Sequence, residues 1–135
     1  MSHSMMGQHS IHAPRPRGIT LVAVLMIVFG LAEVVTSFTH SFLGITTSQT
    51  ALFTASAAAI GACYVVAGVL ILTMRRAAAA LAIMLLIADI LGRLALVVTG
   101  LYPLNSLEQV IGIIGGTALA VIFALYIRSK WRAFE

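Results

Sequence analysis

Three ionisable side chains, Glu33, Asp89 and Arg93, interrupt otherwise apolar sequence. Asp89 and Arg93 stand four residues apart, so on a helix they share a face, one turn from each other. The stretch that holds them, Leu81–Gly100, is apolar for twenty residues apart from these two charges. That length and composition predict a transmembrane helix. Charges inside a bilayer are costly and are usually paired or functional. An acid and a base one turn apart form an ion pair. A further acid at the same depth has no base of its own, and desolvation favours its neutral form. Such a group can exchange a proton or hold a cation.

The elements that place these residues are legible as apolar runs. Span 1 covers about residues 18–38, span 2 about 51–74, span 3 about 77–100 and span 4 about 107–127. No Gly or Pro separates spans 2 and 3, yet one helix over 51–100 would measure about 75 Å against a ~30 Å hydrocarbon core. The chain must turn at Arg75-Arg76. Thr39–Thr50 is read as a loop with a short turn around Phe42–Ile45, and Leu101–Ser106 as a tight loop in which Pro103 stops span 3. Asn105 followed by Glu108 has capping-box spacing at the start of span 4. Glu33 lies about 7.5 Å below the far end of span 1, and Arg93 about 6 Å beyond Asp89 along span 3. Glu33 and Arg93 therefore come out at similar depth. If spans 1 and 3 share the bundle interior, all three charges meet there, with Tyr64 of span 2 as a further donor or as an ordinary packed aromatic.

Composition excludes much else. The chain has 135 residues, 61% hydrophobic and 9% charged, where soluble chains run near 25% charged. Its net charge of +4 does not point to nucleic acid, because the basic residues cluster at span ends. Arg15, Arg17, Arg75, Arg76, Arg128, Lys130 and Arg132 all fall on one side of a four-span chain, and none falls in the two opposite loops. The positive-inside rule then predicts both termini in the cytoplasm and insertion in the cytoplasmic (inner) membrane. Cys63 is the only cysteine, so no intrachain disulfide forms.

Residues 1–17 read as a flexible polar tail and not as a cleaved secretory signal, and 128–135 as a basic cytoplasmic tail anchored by Trp131. His3, His9 and His12 with Met1, Met5 and Met6 are soft metal ligands, but a mobile tail fixes them poorly and no dedicated metal site is expected. Gly112, Gly116, Ala120 and Ala124 recur every four residues along span 4, beside Gly115, which suits close helix packing or a dimer seam. There is no phosphate-binding glycine loop, nucleophile elbow or helical pair of metal ligands. Neither enzymatic activity nor a cofactor is expected.

Leu31-Ala32-Glu33-Val34 resembles the first-helix glutamate motif of the small multidrug resistance transporters, four-span proteins of similar size. That resemblance implies a proton-and-drug-binding role for Glu33. It covers span 1 only, and span 3 departs from it by carrying Asp89 and Arg93. The segments RPRGIT, before span 1, and LGRLALVVTGLYPLN, in span 3 and its loop, resemble a loose group of uncharacterised prokaryotic four-span membrane proteins. This second resemblance implies the architecture and no activity.

The sequence thus predicts an all-α transmembrane four-helix bundle, N-in and C-in, whose partners are the lipid bilayer and a second copy or a larger membrane protein. Two functions stay open. One is a non-enzymatic structural or accessory membrane protein, with the charges fixing how helices face each other. The other is a small proton- or cation-coupled carrier using Glu33, Asp89 and Arg93.

Overall fold

The computed structural model describes residues 14–39, 41–42, 45–46, 51–102 and 104–135. Among them are four α-helices: α1 (Arg17–Thr39), α2 (Ala51–Leu72), α3 (Arg76–Val98) and α4 (Leu107–Ser129). Each is long and apolar enough to cross a membrane. At 1.5 Å per residue they measure about 33–35 Å, a little more than a ~30 Å hydrocarbon core. The chain is a small membrane protein with an all-α four-helix bundle. Large apolar side chains such as Leu21, Val28, Leu91 and Ile114 face outward, while Ser37, Asp89 and Arg93 are buried. A helix with lipid on one side and protein on the other needs no polar face.

α1 starts behind Pro16, whose carbonyl accepts from the N–H groups of Ile19 (3.0 Å) and Thr20 (3.4 Å). α1 packs along α2, α2 against α3 and α3 against α4, whereas α1 makes few close approaches to α3 or α4. The α1–α2 contact is backbone on backbone. A Cβ on Gly61 would fall 2.7 Å from the Gly30 carbonyl oxygen, and one on Gly30 would fall 2.6 Å from that of Gly61. Only glycine at both positions permits that approach.

The reversal between α2 and α3 comes at Thr73–Arg75, slightly earlier than the arginine pair suggests. Met74 takes a φ of 57°, in the left-handed region that costs a non-glycine residue about 1–2 kcal/mol. Its surroundings hold it there. The Met74 carbonyl accepts the Glu135 N–H (2.9 Å), and the Arg76 N–H donates to the Glu135 carbonyl (2.7 Å). Arg76 Nε donates to the Phe134 carbonyl at 2.9 Å. The segment expected as a basic tail therefore folds back. It forms a 3-10 turn at Trp131–Ala133 and buries Phe134 completely under the bundle.

Two helix ends differ from the sequence reading. α3 stops at Val98, ahead of Pro103, which lies outside the described residues. Gly100 at φ 74° lets its own N–H reach the Val97 carbonyl and the Tyr102 N–H reach that of Leu96, a glycine stop. α4 is capped by Ser106 and Gln109, not by Asn105 and Glu108. The Ser106 hydroxyl accepts the Gln109 N–H, and the Gln109 side-chain oxygen accepts the N–H groups of both Ser106 and Asn105. Starting the helix one residue later leaves Glu108 exposed in the first turn, where a carboxylate faces the positive helix end. In the loop after α1, β1 (Ser41–Phe42) pairs antiparallel with β2 (Ile45–Thr46), Phe42 opposite Ile45. The tail that holds His3, His9 and His12 with Met1, Met5 and Met6 lies outside the described residues.

Candidate functional site

The three charges meet. Arg93 donates from Nη2 to both oxygens of Glu33, each at 2.8 Å. From Nε it donates to both oxygens of Asp89 at 3.2 and 3.3 Å. Asp89 and Arg93 sit side by side because α3 runs unbroken between them. Glu33 arrives from another direction, because α1 and α3 are not close-packed neighbours. The arginine side chain spans the interior between them. The expected meeting therefore occurs through the reach of Arg93 and not through contact of the two helices.

The three side chains differ in access. The Asp89 side chain is fully enclosed, that of Arg93 is 10% exposed and that of Glu33 is 26% exposed. Glu33 and Arg93 border a cavity of about 220 Å³ between the last third of α1 and the first half of α4. Phe29, Phe53, Ile113 and Leu119 supply much of its apolar wall, and Tyr64, Tyr102, Thr36 and Ser37 its hydroxyls. A more open furrow of about 350 Å³ lies between α2 and α3, with Asp89 in its wall beside Cys63.

Tyr64 does join the site. Its hydroxyl donates to the Gly116 carbonyl at 3.2 Å, beside the Asp89 carboxylate. Its ring lies 5.9 Å from the Arg93 guanidinium carbon, within range of a cation–π contact. Phe123 meets the same ring edge-on at 6.2 Å and 74°. Of the small residues of α4, Ala120 is fully buried and Ala124 packs against the core. Gly116 seats the arginine, since a Cβ there would fall 2.8 Å from the guanidinium carbon. Gly112 faces the Tyr102 hydroxyl, and a Cβ on Gly115 would meet nothing within 4 Å.

Tyr102, in the loop that the sequence predicts after span 3, also belongs to the site. It lines the cavity, and its hydroxyl donates to the Gln109 carbonyl at 3.0 Å. Burial raises its hydroxyl above the ordinary tyrosine value, so it stays a donor. The glycine turn at Gly100 brings it back over the bundle, a reversal that spacing alone does not announce. Among the described residues no group of three or more His, Cys, Asp and Glu is placed to hold a metal ion. No protein-family model, curated protein or solved structure matches the chain, so the site's own geometry carries the functional reading.

Proposed function

We propose that this protein is a small proton-coupled membrane carrier in which Glu33 is the proton-exchanging group. One observation carries the reading: the charged cluster is not sealed, because its most accessible acid lies in the wall of a cavity. With all three groups ionised the cluster sums to one negative charge. A proton on Glu33 brings it to zero and releases Arg93 from one of its two partners. Since α1 makes few other close approaches to α3, that release loosens the tie across the cavity. Proton binding and the tie between α1 and α3 are thereby coupled, as a carrier requires. The enclosure of Asp89 favours a second reading, in which the whole cluster is a structural brace.

Flux in liposomes separates the two. The purified protein is reconstituted with pyranine inside, an inside-alkaline gradient is imposed, and benzenesulfonate is added outside or tetraethylammonium is loaded inside. Proton entry that requires one of these ions, and is lost in Glu33→Gln, supports the carrier. Proton movement no greater than in empty liposomes with either ion leaves the brace. We also propose that both termini are cytoplasmic, on the strength of the seven-to-none distribution of basic residues. Reporters fused after Glu135 and within 101–106 should lie on opposite sides, the former in the cytoplasm. A periplasmic reporter after Glu135 would overturn this topology.

A further inference from the structure

We infer that the cavity between α1 and α4 binds a small organic anion on the Nη1–Nη2 edge of Arg93, together with a proton on Glu33. This rests on Glu33 as the proton-exchanging group and names what binds with the proton.

The hydrogen-bond inventory selects the ligand. The four hydroxyls that line the cavity each have an acceptor for their single proton: Thr36 the Ala32 carbonyl, Ser37 that of Val34, Tyr102 that of Gln109, and Tyr64 the Gly116 carbonyl or the Asp89 carboxylate. Arg93 has spent Nε on Asp89 and Nη2 on Glu33. Its Nη1 donates to nothing among the described residues, although it carries two N–H groups. It lies against Gly116, where the missing side chain leaves it room. The donor on offer in this cavity is therefore a guanidinium edge, which suits an oxyanion. A cation would have to share Glu33 oxygens that are each held at 2.8 Å by a group that cannot lose its charge.

Charge explains the proton. An anion entering the fully ionised cluster would meet a net negative site. Protonation of Glu33 leaves a neutral Arg93–Asp89 pair and frees Nη2, so that Nη1 and Nη2 together present the two-pronged edge that binds a carboxylate, sulfonate or phosphate. Proton and anion enter as a neutral pair, which limits the cost of burying charge in a bilayer. The groups facing Glu33 are Arg93 and Asp89 from α3, Tyr64 from α2 and Tyr102 from the α3–α4 connection. At the cavity α4 offers Gly112, Ile113, Gly116 and Leu119, none of them titratable. The volume, about 220 Å³, is below the ~300–1,000 Å³ of sites for drug-sized ligands. It suits an aromatic acid or the headgroup of an anionic lipid, with the apolar part against Phe29 and Leu119.

Calorimetric titration of the full chain in detergent with benzenesulfonate, which remains anionic across the range used, tests this. Wild-type affinity should fall about tenfold per pH unit wherever Glu33 is ionised in the free protein, the slope of one linked proton. Glu33→Gln should bind with no pH slope. Ala32→Leu, which fills the cavity and touches no charge, should weaken binding by about tenfold or more at an unchanged elution volume. Displacement by phosphatidylglycerol and not by phosphatidylcholine assigns the anion to a lipid headgroup. Displacement by neither assigns it to a free organic acid. The inference is overturned if monodisperse wild type binds no benzenesulfonate, if Glu33→Gln keeps the slope, or if tetraethylammonium binds in its place. Binding without flux in liposomes overturns the carrier and keeps the anion site. Flux driven by tetraethylammonium does the reverse.

Discussion

At the end of the bundle that carries the basic residues, all four helices contribute to one core. Ile19, Ala23 and Met26 meet Ala67 and Ile71, Ala79, Ala82 and Leu86, then Ala120, Phe123 and Ile127, and Phe134 closes it from below. At the other end the buried apolar cluster is Phe53, Ala57, Ile60 and Leu96, from α2 and α3 alone. There α1 keeps its close packing on α2 at Gly30, Val34 and Gly61, but its link to α3 and two links of α4 are polar: Glu33 to Arg93, Tyr64 to Gly116 and Tyr102 to Gln109. The closed end has packing that no proton can undo. The open end adds links through groups whose charge or hydrogen bonding can change, and the cavity lies at that end. A bundle that were only a scaffold would gain from apolar packing at both ends, because well-packed apolar replacements of buried ion networks are often neutral or stabilising.

The largest effect should come from orphaning the arginine. Glu33→Ala with Asp89→Ala leaves Arg93 buried without an acid and should cost about 3–5 kcal/mol, read as lost folded yield and a lower melting temperature in detergent. Arg93→Leu should be milder, because the two carboxylates left behind can discharge by taking up protons and arginine cannot discharge by losing one. Changing all three to apolar residues of similar size should recover much of the loss. If that triple variant folds but loses ion-coupled proton flux, the open end exists for function. If it folds and keeps the flux, the charges are a brace. Should Arg93→Leu be the worst of these changes, the tie between Glu33 and Arg93 contributes little, and the contrast between the two ends loses its basis.

The sequence made part of this contrast legible. Four spans follow from apolar length, and the Asp89–Arg93 pair from four-residue spacing on one helix. Glu33 follows from depth alone, because antiparallel spans convert residue number into height. What spacing does not reveal is azimuth and reach. Arg93 crosses the interior without α1 and α3 touching, so the cluster could be placed in height but its access could not. Gly116 looked like part of a packing stripe and proves to be the seat of a guanidinium, because a missing side chain reads the same whether a helix or an arginine fills the space. Phe134 was unreadable for another reason. Its burial depends on backbone bonds to Met74 and Arg76, some sixty residues away, which leave no local pattern.

The glycines test the comparison at intermediate magnitude. Gly61→Ala adds a methyl 2.7 Å from one backbone oxygen and 2.9 Å from the Val34 nitrogen. Backbone cannot swing aside, so overpacking should cost about 1–3 kcal/mol. Gly115→Ala adds the same methyl where nothing lies within 4 Å, and should leave the melting temperature unchanged or slightly raised. Gly116→Leu should displace Arg93 and destabilise, whereas Ile114→Leu on the outward face should be mild. Equal stability of Gly116→Leu and Ile114→Leu would remove the seat assigned to the arginine. A change of oligomeric state in Gly115→Leu at unchanged stability would show that the outward glycine serves a seam between copies.

The smallest effect concerns the cap at the open end. Ser106 and Gln109 bond each other reciprocally at the start of α4, and the Gln109 carbonyl also holds the Tyr102 hydroxyl. Ser106→Ala should cost about 1 kcal/mol. Glu108→Gln, which removes only an exposed carboxylate near the helix start, should cost about 0.3–1 kcal/mol and less in salt. The more telling result is where the loss appears. The first turn of α4 carries the Tyr102 contact and leads into Gly112 and Ile113 of the cavity wall, while Ala120, Phe123 and Ile127 sit in the other core. Amide exchange in Ser106→Ala should therefore quicken from Leu107 to about Ile113 and stay unchanged beyond Ala120. If exchange rises evenly along all of α4, the two ends unfold as one unit, and the open end is not the separately yielding half that a proton-controlled cavity needs.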